Sequence, residues 1–316
     1  MRSFHWIVVP LACASLAAPA QARQRPPIID MHMHAHMPGS DHVPGGVPSL
    51  CRPAPCDGAG QASRTPEESL ARTLAAMKRH NVVLGFLSGE LDIVRDWMAA
   101  APDRFLPAPF ILQPGQPSAE QLRPEYVAGR MRGMGEIAAQ LAGYAPDDPA
   151  LEPYFALAEE LDIPVLLHTA GIGPYLPGFR SAAGDPLRLE KVLVKHPDLR
   201  IYIENSGYPF LDQTIAMMYQ YPQLHGDLST ISWLIPRAEF HRYLRGLISA
   251  GLGKRLMFGS DQMRWPETIG LAVAAIESAE FLTAEQKRDI FHDNAARFLR
   301  LGDLAGSTRA PQPAGR

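Results

Sequence analysis

Eight short apolar runs punctuate the chain, at residues 28–34, 82–88, 105–112, 131–137, 163–169, 200–207, 224–230 and 255–261. Most carry the β-branched and aromatic side chains of strands buried on both faces; the third is broken by prolines and the fourth is the weakest. Amphipathic stretches lie between most of them, at 66–80, 90–101, 151–161, 186–196, 210–220, 236–250, 266–278 and 283–299. The first shows the logic. Leu70, Leu74 and Met77 fall at helical spacing, Thr65 can cap the N-terminus, Pro66 suits the first turn, and Glu67 and Glu68 suit its dipole. Strand–helix alternation repeated in this way predicts an α/β fold, a (β/α)₈ TIM barrel. An open doubly wound sheet is the alternative, but no glycine-rich dinucleotide fingerprint follows the first run.

The ends of the chain read differently. Arg2, an apolar stretch at 7–18 and Ala20-Gln21-Ala22 give the charge, core and small-residue order of an export signal. Residues 1–22 are therefore expected to be a signal peptide, with a periplasmic destination. The barrel domain is expected over 23–303 and a disordered tail over 304–316, which is rich in Gly, Pro and Arg. Of three cysteines, Cys13 would leave with the signal. Cys51 and Cys56 remain in a long Pro/Gly loop at 36–64, either bridged or as two free thiols. That loop follows the first strand, on the catalytic face of a barrel, and reads as a lid or pocket wall.

A net charge of −3 offers no basic field for nucleic acid, and after residue 22 no stretch is apolar enough to span a membrane. The expected partner is a small-molecule substrate; a homo-oligomer stays open. The chemistry begins at Asp30-Met31-His32-Met33-His34. Residues two apart on a strand share a face, so His32 and His34 make half of a metal site. His168 closes the fifth run and Asp261 the eighth. In a barrel those strand ends converge on one face, so three imidazoles and a carboxylate form a catalytic metal site.

Here the chain resembles a known family. Residues 29–34, Leu167-His168-Thr169, Phe258-Gly259-Ser260-Asp261 and the closing Asn294-Ala295-Ala296-Arg297-Phe298 are similar to motifs of the amidohydrolase superfamily, in particular its amidohydrolase 2 group. The likeness spans about residues 26–302. It implies a metal-bearing barrel with His32, His34, His168 and Asp261 as ligands, Asp261 also taking a proton from the attacking water. Glu136, in Gly133-Met134-Gly135-Glu136, falls where some members bridge two metals; a salt bridge or substrate contact is the other reading. At the sixth strand Asn205 stands where many relatives carry histidine, and alternation is expected to turn Glu204 away from the face Asn205 uses.

The resulting expectation is a metal-dependent hydrolase of a small ester, lactone or amide, with one or two divalent ions, zinc by default. Two other readings stand beside it: a metal-dependent decarboxylase of an aromatic or unsaturated acid, and a ligand-binding barrel of weak activity. Asn205, Tyr208 and Arg264 are expected to meet substrate; Trp233, Trp265 and Arg180 are further candidates for the pocket, as are His36 and His42 of the loop. His80, His196, His241 and His292 are expected at the surface.

Overall fold

The structure is a computed structural model that describes residues 25–35, 62–173 and 176–304. The expected signal peptide, His36, His42, Cys51, Cys56 and the tail beyond 304 lie outside the described residues. Eight parallel strands follow in chain order: β1 (Ile28–Ala35), β2 (Val82–Gly89), β3 (Phe105–Pro109), β4 (Met134–Ile137), β5 (Val165–Leu167), β6 (Ile201–Ile203), β7 (Leu224–Asp227) and β8 (Leu256–Met257). Helices separate them: α1 (Pro66–His80), α2 (Leu91–Ala100), α3 (Ala119–Val127), α4 (Glu152–Glu160), α5 (Glu190–Lys195), α6 (Leu211–Gln220), the short α7 (Ile231–Leu234) and α8 (Arg237–Ser249). After β8 come α9 (Thr268–Glu277), α10 (Ala284–Arg288) and α11 (Asn294–Phe298).

Strands β1–β3 and β4–β8 form two hydrogen-bonded arcs. Ile111 N donates to Glu136 O (2.8 Å) and Ala138 N to Ile111 O (2.8 Å), which joins the arcs on one side. Met31 N donates to Phe258 O (2.8 Å) and Asp261 N to His32 O (2.8 Å), which joins them on the other. The arcs thus close into the expected barrel. Among the described residues no helix is long and apolar enough to cross a membrane.

Helix α3 was not legible in the apolar pattern. Its centre carries Pro124, and its buried positions do not extend over enough turns to give a clear period. The signal it does carry is at its start, a capping box in which Ser118 and Gln121 satisfy each other's backbone N–H groups. The helix expected at 283–299 is interrupted by a π-helical segment at Asp289–Asp293.

Side chains alternate across each strand, one set facing the barrel axis and the other the helices. Ile29, Met31, Phe86, Leu106, Ala108, Leu166, Tyr202 and Met257 form the inner cluster, and Ala295 and Phe298 of α11 close its base. In β1 the alternation changes phase. Between Asp30 and Met33 this strand advances three residues while β2 advances two, from Gly85 to Leu87. The extra residue lets His32 and His34 face inward above Met31, although Met31 and His32 are neighbours in sequence.

Three bonds hold this bulge. Asp30 Oδ1 accepts from His32 N (3.1 Å) and Ser260 N (2.9 Å), and the Tyr202 hydroxyl donates to Met31 O (2.6 Å). Burial pushes the Asp30 carboxyl up to about 7. Tyr202→Phe keeps the ring packing and leaves the Met31 carbonyl without its partner. It is expected to destabilise the fold by about 1–3 kcal/mol, read as a lower midpoint in urea unfolding. An unchanged midpoint would mean the bulge does not need that bond.

Candidate metal centre

Four donor atoms from three chain segments meet at the C-terminal mouth of the barrel. His32 Nε2 and His34 Nε2 lie 3.2 Å apart. Glu136 Oε2 lies 3.4 Å from the first and 3.3 Å from the second. Asp261 Oδ1 lies 2.9 Å from His34 Nε2 and 3.8 Å from His32 Nε2. Donors held about 2.0–2.2 Å from one ion sit roughly 3–3.5 Å from each other. The separations here fall in and around that range.

Each donor arrives by a different local device. The β1 bulge turns in the two histidines. Glu136 is aimed by Gly135, whose φ of +98° a side chain would rarely adopt, and by Ser88 Oγ, which accepts from Glu136 N (2.8 Å). Asp261 follows β8 in left-handed backbone (φ 46°), a conformation that aspartate tolerates better than most residues. The Thr230 hydroxyl donates to Asp261 Oδ2, which leaves Oδ1 facing the imidazoles. Gln262 clamps the end of β1, accepting from His34 N (2.9 Å) and donating to His34 O (2.7 Å).

His32 is oriented from behind. Its Nδ1 faces Asp227 Oδ2 (3.1 Å) and Ser229 Oγ (3.2 Å). A carboxylate oxygen accepts, so Nδ1 donates to Asp227 and Nε2 points at the other donors. Asp227 is fixed in turn, its Oδ1 accepting from Ser229 Oγ (2.7 Å), Ser229 N (3.1 Å) and Asn205 N (2.8 Å). Gly259 makes the close approach possible, since a Cβ there would lie 3.0 Å from His32 Cβ.

His168 is not grouped with those donors directly. Its Nδ1 lies 2.8 Å from Glu136 Oε1, the other oxygen of the same carboxylate, and against Glu204 Oε2. The expectation for the sixth strand is corrected here. Tyr202 faces the barrel axis, so Glu204, two residues on, faces it too. Asn205 is the residue turned aside: its Oδ1 accepts from Ile231 N (3.0 Å) and its Nδ2 donates to Glu204 Oε1 (2.8 Å). Its amide braces the loops instead of facing open space. Glu204 and Asp227 were both legible as acids ending apolar runs, the signal that singled out Asp261.

The electrostatics show what the cluster lacks. Burial alone would lower the His32 imidazole, but the carboxylates of Asp261, Asp227 and Glu136 raise it well above its usual range. Burial likewise opposes a charged His168, yet Glu204 and Glu136 push it up to about 10. Burial would raise the Glu136 carboxyl, but His168 and His32 hold it well below the carboxylate range. Burial keeps Glu204 raised. Among the described residues no lysine or arginine bonds to Glu136, Glu204, Asp227 or Asp261. Asp261 Oδ1 and Glu204 Oε2 are buried without a hydrogen bond. Buried carboxylates whose partners among the described residues are imidazoles, with no lysine or arginine beside them, suit a cation in place of the imidazole protons.

The remaining expected residues divide. The Tyr208 hydroxyl donates to Glu239 Oε1 (3.2 Å) and its ring meets Tyr243 edge-on. The Arg264 guanidinium lies 5.0 Å from the centre of the Trp265 ring. Trp233 and Trp265 are buried against each other, and Trp233 Nε1 donates to Ser260 O (2.7 Å). Arg180 bonds to the carbonyls of Pro177 and Phe179. His196, expected at the surface, is buried between Glu159 (2.8 Å) and Glu152 (3.2 Å). Beside His34, the most exposed of the four donors, Phe110 stands edge-on at 5.9 Å. Phe110 also lines a cleft of about 520 Å³ with Gly89, Leu91, Leu112 and Gln113.

Comparison with known proteins agrees with this architecture. The family model described as amidohydrolase matches residues 29–301. No curated protein matches the chain significantly. Among solved structures, an uncharacterized TIM-barrel protein from Bordetella bronchiseptica is 19% identical with a TM-score of 0.64, over 87% of this chain and 99% of that one. A probable 2-pyrone-4,6-dicarboxylic acid hydrolase from Acinetobacter baumannii is 16% identical with a TM-score of 0.58, over 86% and 99%. A 5-carboxyvanillate decarboxylase from Novosphingobium aromaticivorans, with bound manganese, is 14% identical with a TM-score of 0.55, over 77% and 86%. Likeness at these identities establishes the fold.

Proposed function

The chain belongs to the amidohydrolase family, and we propose that it hydrolyses a small-molecule ester, lactone or amide with a divalent cation held by His32, His34, Glu136 and Asp261. The observation that carries this reading is the convergence of four donor atoms at 2.9–3.8 Å, two imidazoles and two buried carboxylates, with no lysine or arginine paired to them among the described residues. When bound, the cation supplies water of lowered pKa and polarises a carbonyl.

The chain's own residues do the rest. The Asp261 carboxylate, its Oδ2 tied to Thr230, accepts the proton of the attacking water at Oδ1 and returns it to the leaving group. Asp227 fixes the tautomer and direction of His32. The cleft lined by Phe110 has the volume of a small-molecule site and borders the donor cluster through that ring.

The test is turnover in ¹⁸O-labelled water across esters, lactones and amides, before and after chelation. Hydrolysis puts label into the product, and chelation removes activity until a divalent ion is restored. Full activity after exhaustive chelation would overturn the reading. The second reading, decarboxylation, is favoured by likeness to the manganese-bearing decarboxylase fold. Carbon dioxide release without label uptake would decide for it. Asp227→Asn is expected to weaken cation binding about 10–100-fold, measured by competition with a chromophoric chelator. Unchanged affinity would remove Asp227 from its role behind His32.

A further inference from the structure

Phe110 belongs both to the surroundings of the donor cluster and to the cleft beside it. Its ring stands edge-on to His34 at 5.9 Å, and the same ring lines the cleft of about 520 Å³. One wall of the cleft comes from the junction of β2 and α2, the other from the loop that follows β3. Phe110 N donates to Gly89 O (2.9 Å), which ties the two walls together. The loop wall is pinned from behind by Tyr154 of α4. Gly115 N donates to the Tyr154 hydroxyl (2.6 Å), and that hydroxyl donates to Pro117 O (2.7 Å). The cleft is thus formed in advance, with little left to order when it is filled.

Its chemistry is apolar inside and acidic at the edge. Leu91, Phe110 and Leu112 are half-buried and supply the apolar lining. The charged residues that line it are Glu90, Asp92 and Arg95, two acids against one base. That base is already engaged: Arg95 Nη1 donates to Asp92 Oδ1 (2.7 Å), and its Nη2 lies 3.6 Å from Glu125 Oε1. The start of α2 would by itself favour an anion through the helix dipole, but Glu90 and Asp92 stand at that start and supply the negative charge. A carboxylate that entered the cleft would lose water and meet two like charges, with the arginine of the lining already paired.

We infer that this cleft takes an uncharged, apolar arm of the substrate next to its reacting carbonyl, and that it discriminates against an arm ending in a carboxylate. The inference rests on the proposal that His32, His34, Glu136 and Asp261 hold a cation which the carbonyl meets. Phe110 and Leu112 cover the arm, and Asp92 supplies the discrimination by holding Arg95 and by its own charge.

The test uses the full chain loaded with zinc and three hydroxamic acids, titrated by calorimetry. The chelating head of each takes the place of the reacting carbonyl. Acetohydroxamate has almost no arm, hexanohydroxamate has an apolar one, and adipic acid monohydroxamate matches the second with a terminal carboxylate in place of the methyl group. Hexanohydroxamate is expected to bind at least about tenfold more tightly than acetohydroxamate, and at least about tenfold more tightly than the adipic compound. Phe110→Ala is expected to lose most of the advantage of the longer arm. Leu112→Asn, in the loop wall, is expected to reduce it too and carries the test if Phe110→Ala does not fold. Asp92→Asn is expected to narrow the preference against the carboxylate about threefold.

Equal affinity for acetohydroxamate and hexanohydroxamate in the wild type would overturn the cleft as a substrate site and leave the cation standing. Adipic acid monohydroxamate binding as tightly as hexanohydroxamate would overturn the discrimination. No binding of any of the three would overturn the cation and the cleft together. Tight binding of hexanohydroxamate without turnover of phenyl hexanoate would keep the cleft and sink hydrolysis.

Discussion

Asp261→Asn is expected to cut turnover by about 10²–10⁴-fold while the barrel stays folded. The substitution keeps the shape of the side chain, and the amide can still accept the Thr230 hydroxyl through its oxygen. What it loses is the lone pair and the charge at Oδ1, the atom that lies 2.9 Å from His34 Nε2 without a hydrogen bond. An amide there cannot take a proton near neutral pH. Burial opposes the Asp261 charge, but His32 and His34 hold its carboxyl below the ordinary value, so losing that charge is expected to lower the melting temperature without unfolding the barrel. Turnover should be measured with cation content in the same sample. Lost turnover with the cation retained supports the proton role. Lost turnover with lost cation makes Asp261 mainly a ligand. Turnover within tenfold of wild type would exclude both.

The second large effect is expected from Gly135→Ala. The residue has a φ of +98°, and a Cβ would lie 2.3 Å from Leu166 O and 2.5 Å from Ile137 N. Those atoms belong to the barrel backbone, which cannot swing aside as the tip of a side chain can. Either β4 moves or β5 does, and Glu136 and His168 sit on their ends. We expect a loss of more than about 3 kcal/mol, or roughly 6–12 °C in melting temperature, together with loss of cation binding. Gly129→Ala is the control, because it also has a positive φ (+71°) but nothing lies within 4 Å of its Cβ. It should cost only the backbone strain, about 1–2 kcal/mol. Equal melting temperatures for the two variants would show that close packing at Gly135 is not what aims Glu136.

These expectations separate two kinds of information in the chain. The strand–helix rhythm is local, because burial on both faces writes near-continuous apolar runs and burial on one face writes helical spacing. For that reason eight strands and most helices can be placed from the sequence, and His32, His34, His168 and Asp261 can be found as polar residues ending apolar runs. Helix α3 escaped because Pro124 and a short buried face leave little period to detect.

Which way a side chain points at the end of a strand is a different matter. Alternation fixes relative facing within a regular strand, but the phase comes from its neighbours. In β6, Tyr202 packs inward and carries Glu204 with it, so the acid and not Asn205 reaches the centre. In β1, one extra residue reverses the phase between Met31 and His32, held by bonds from Tyr202 and to Asp30, the former 171 positions away in sequence. In β4, Gly135 turns Glu136 between two groups of donors. The sequence alone determined the barrel and the strand-end polar residues, since each rests on contacts that repeat along the chain. Only the tertiary structure decided which of them converge, because bulges, left-handed turns and the hydrogen bonds that stabilise them depend on residues far apart in the chain.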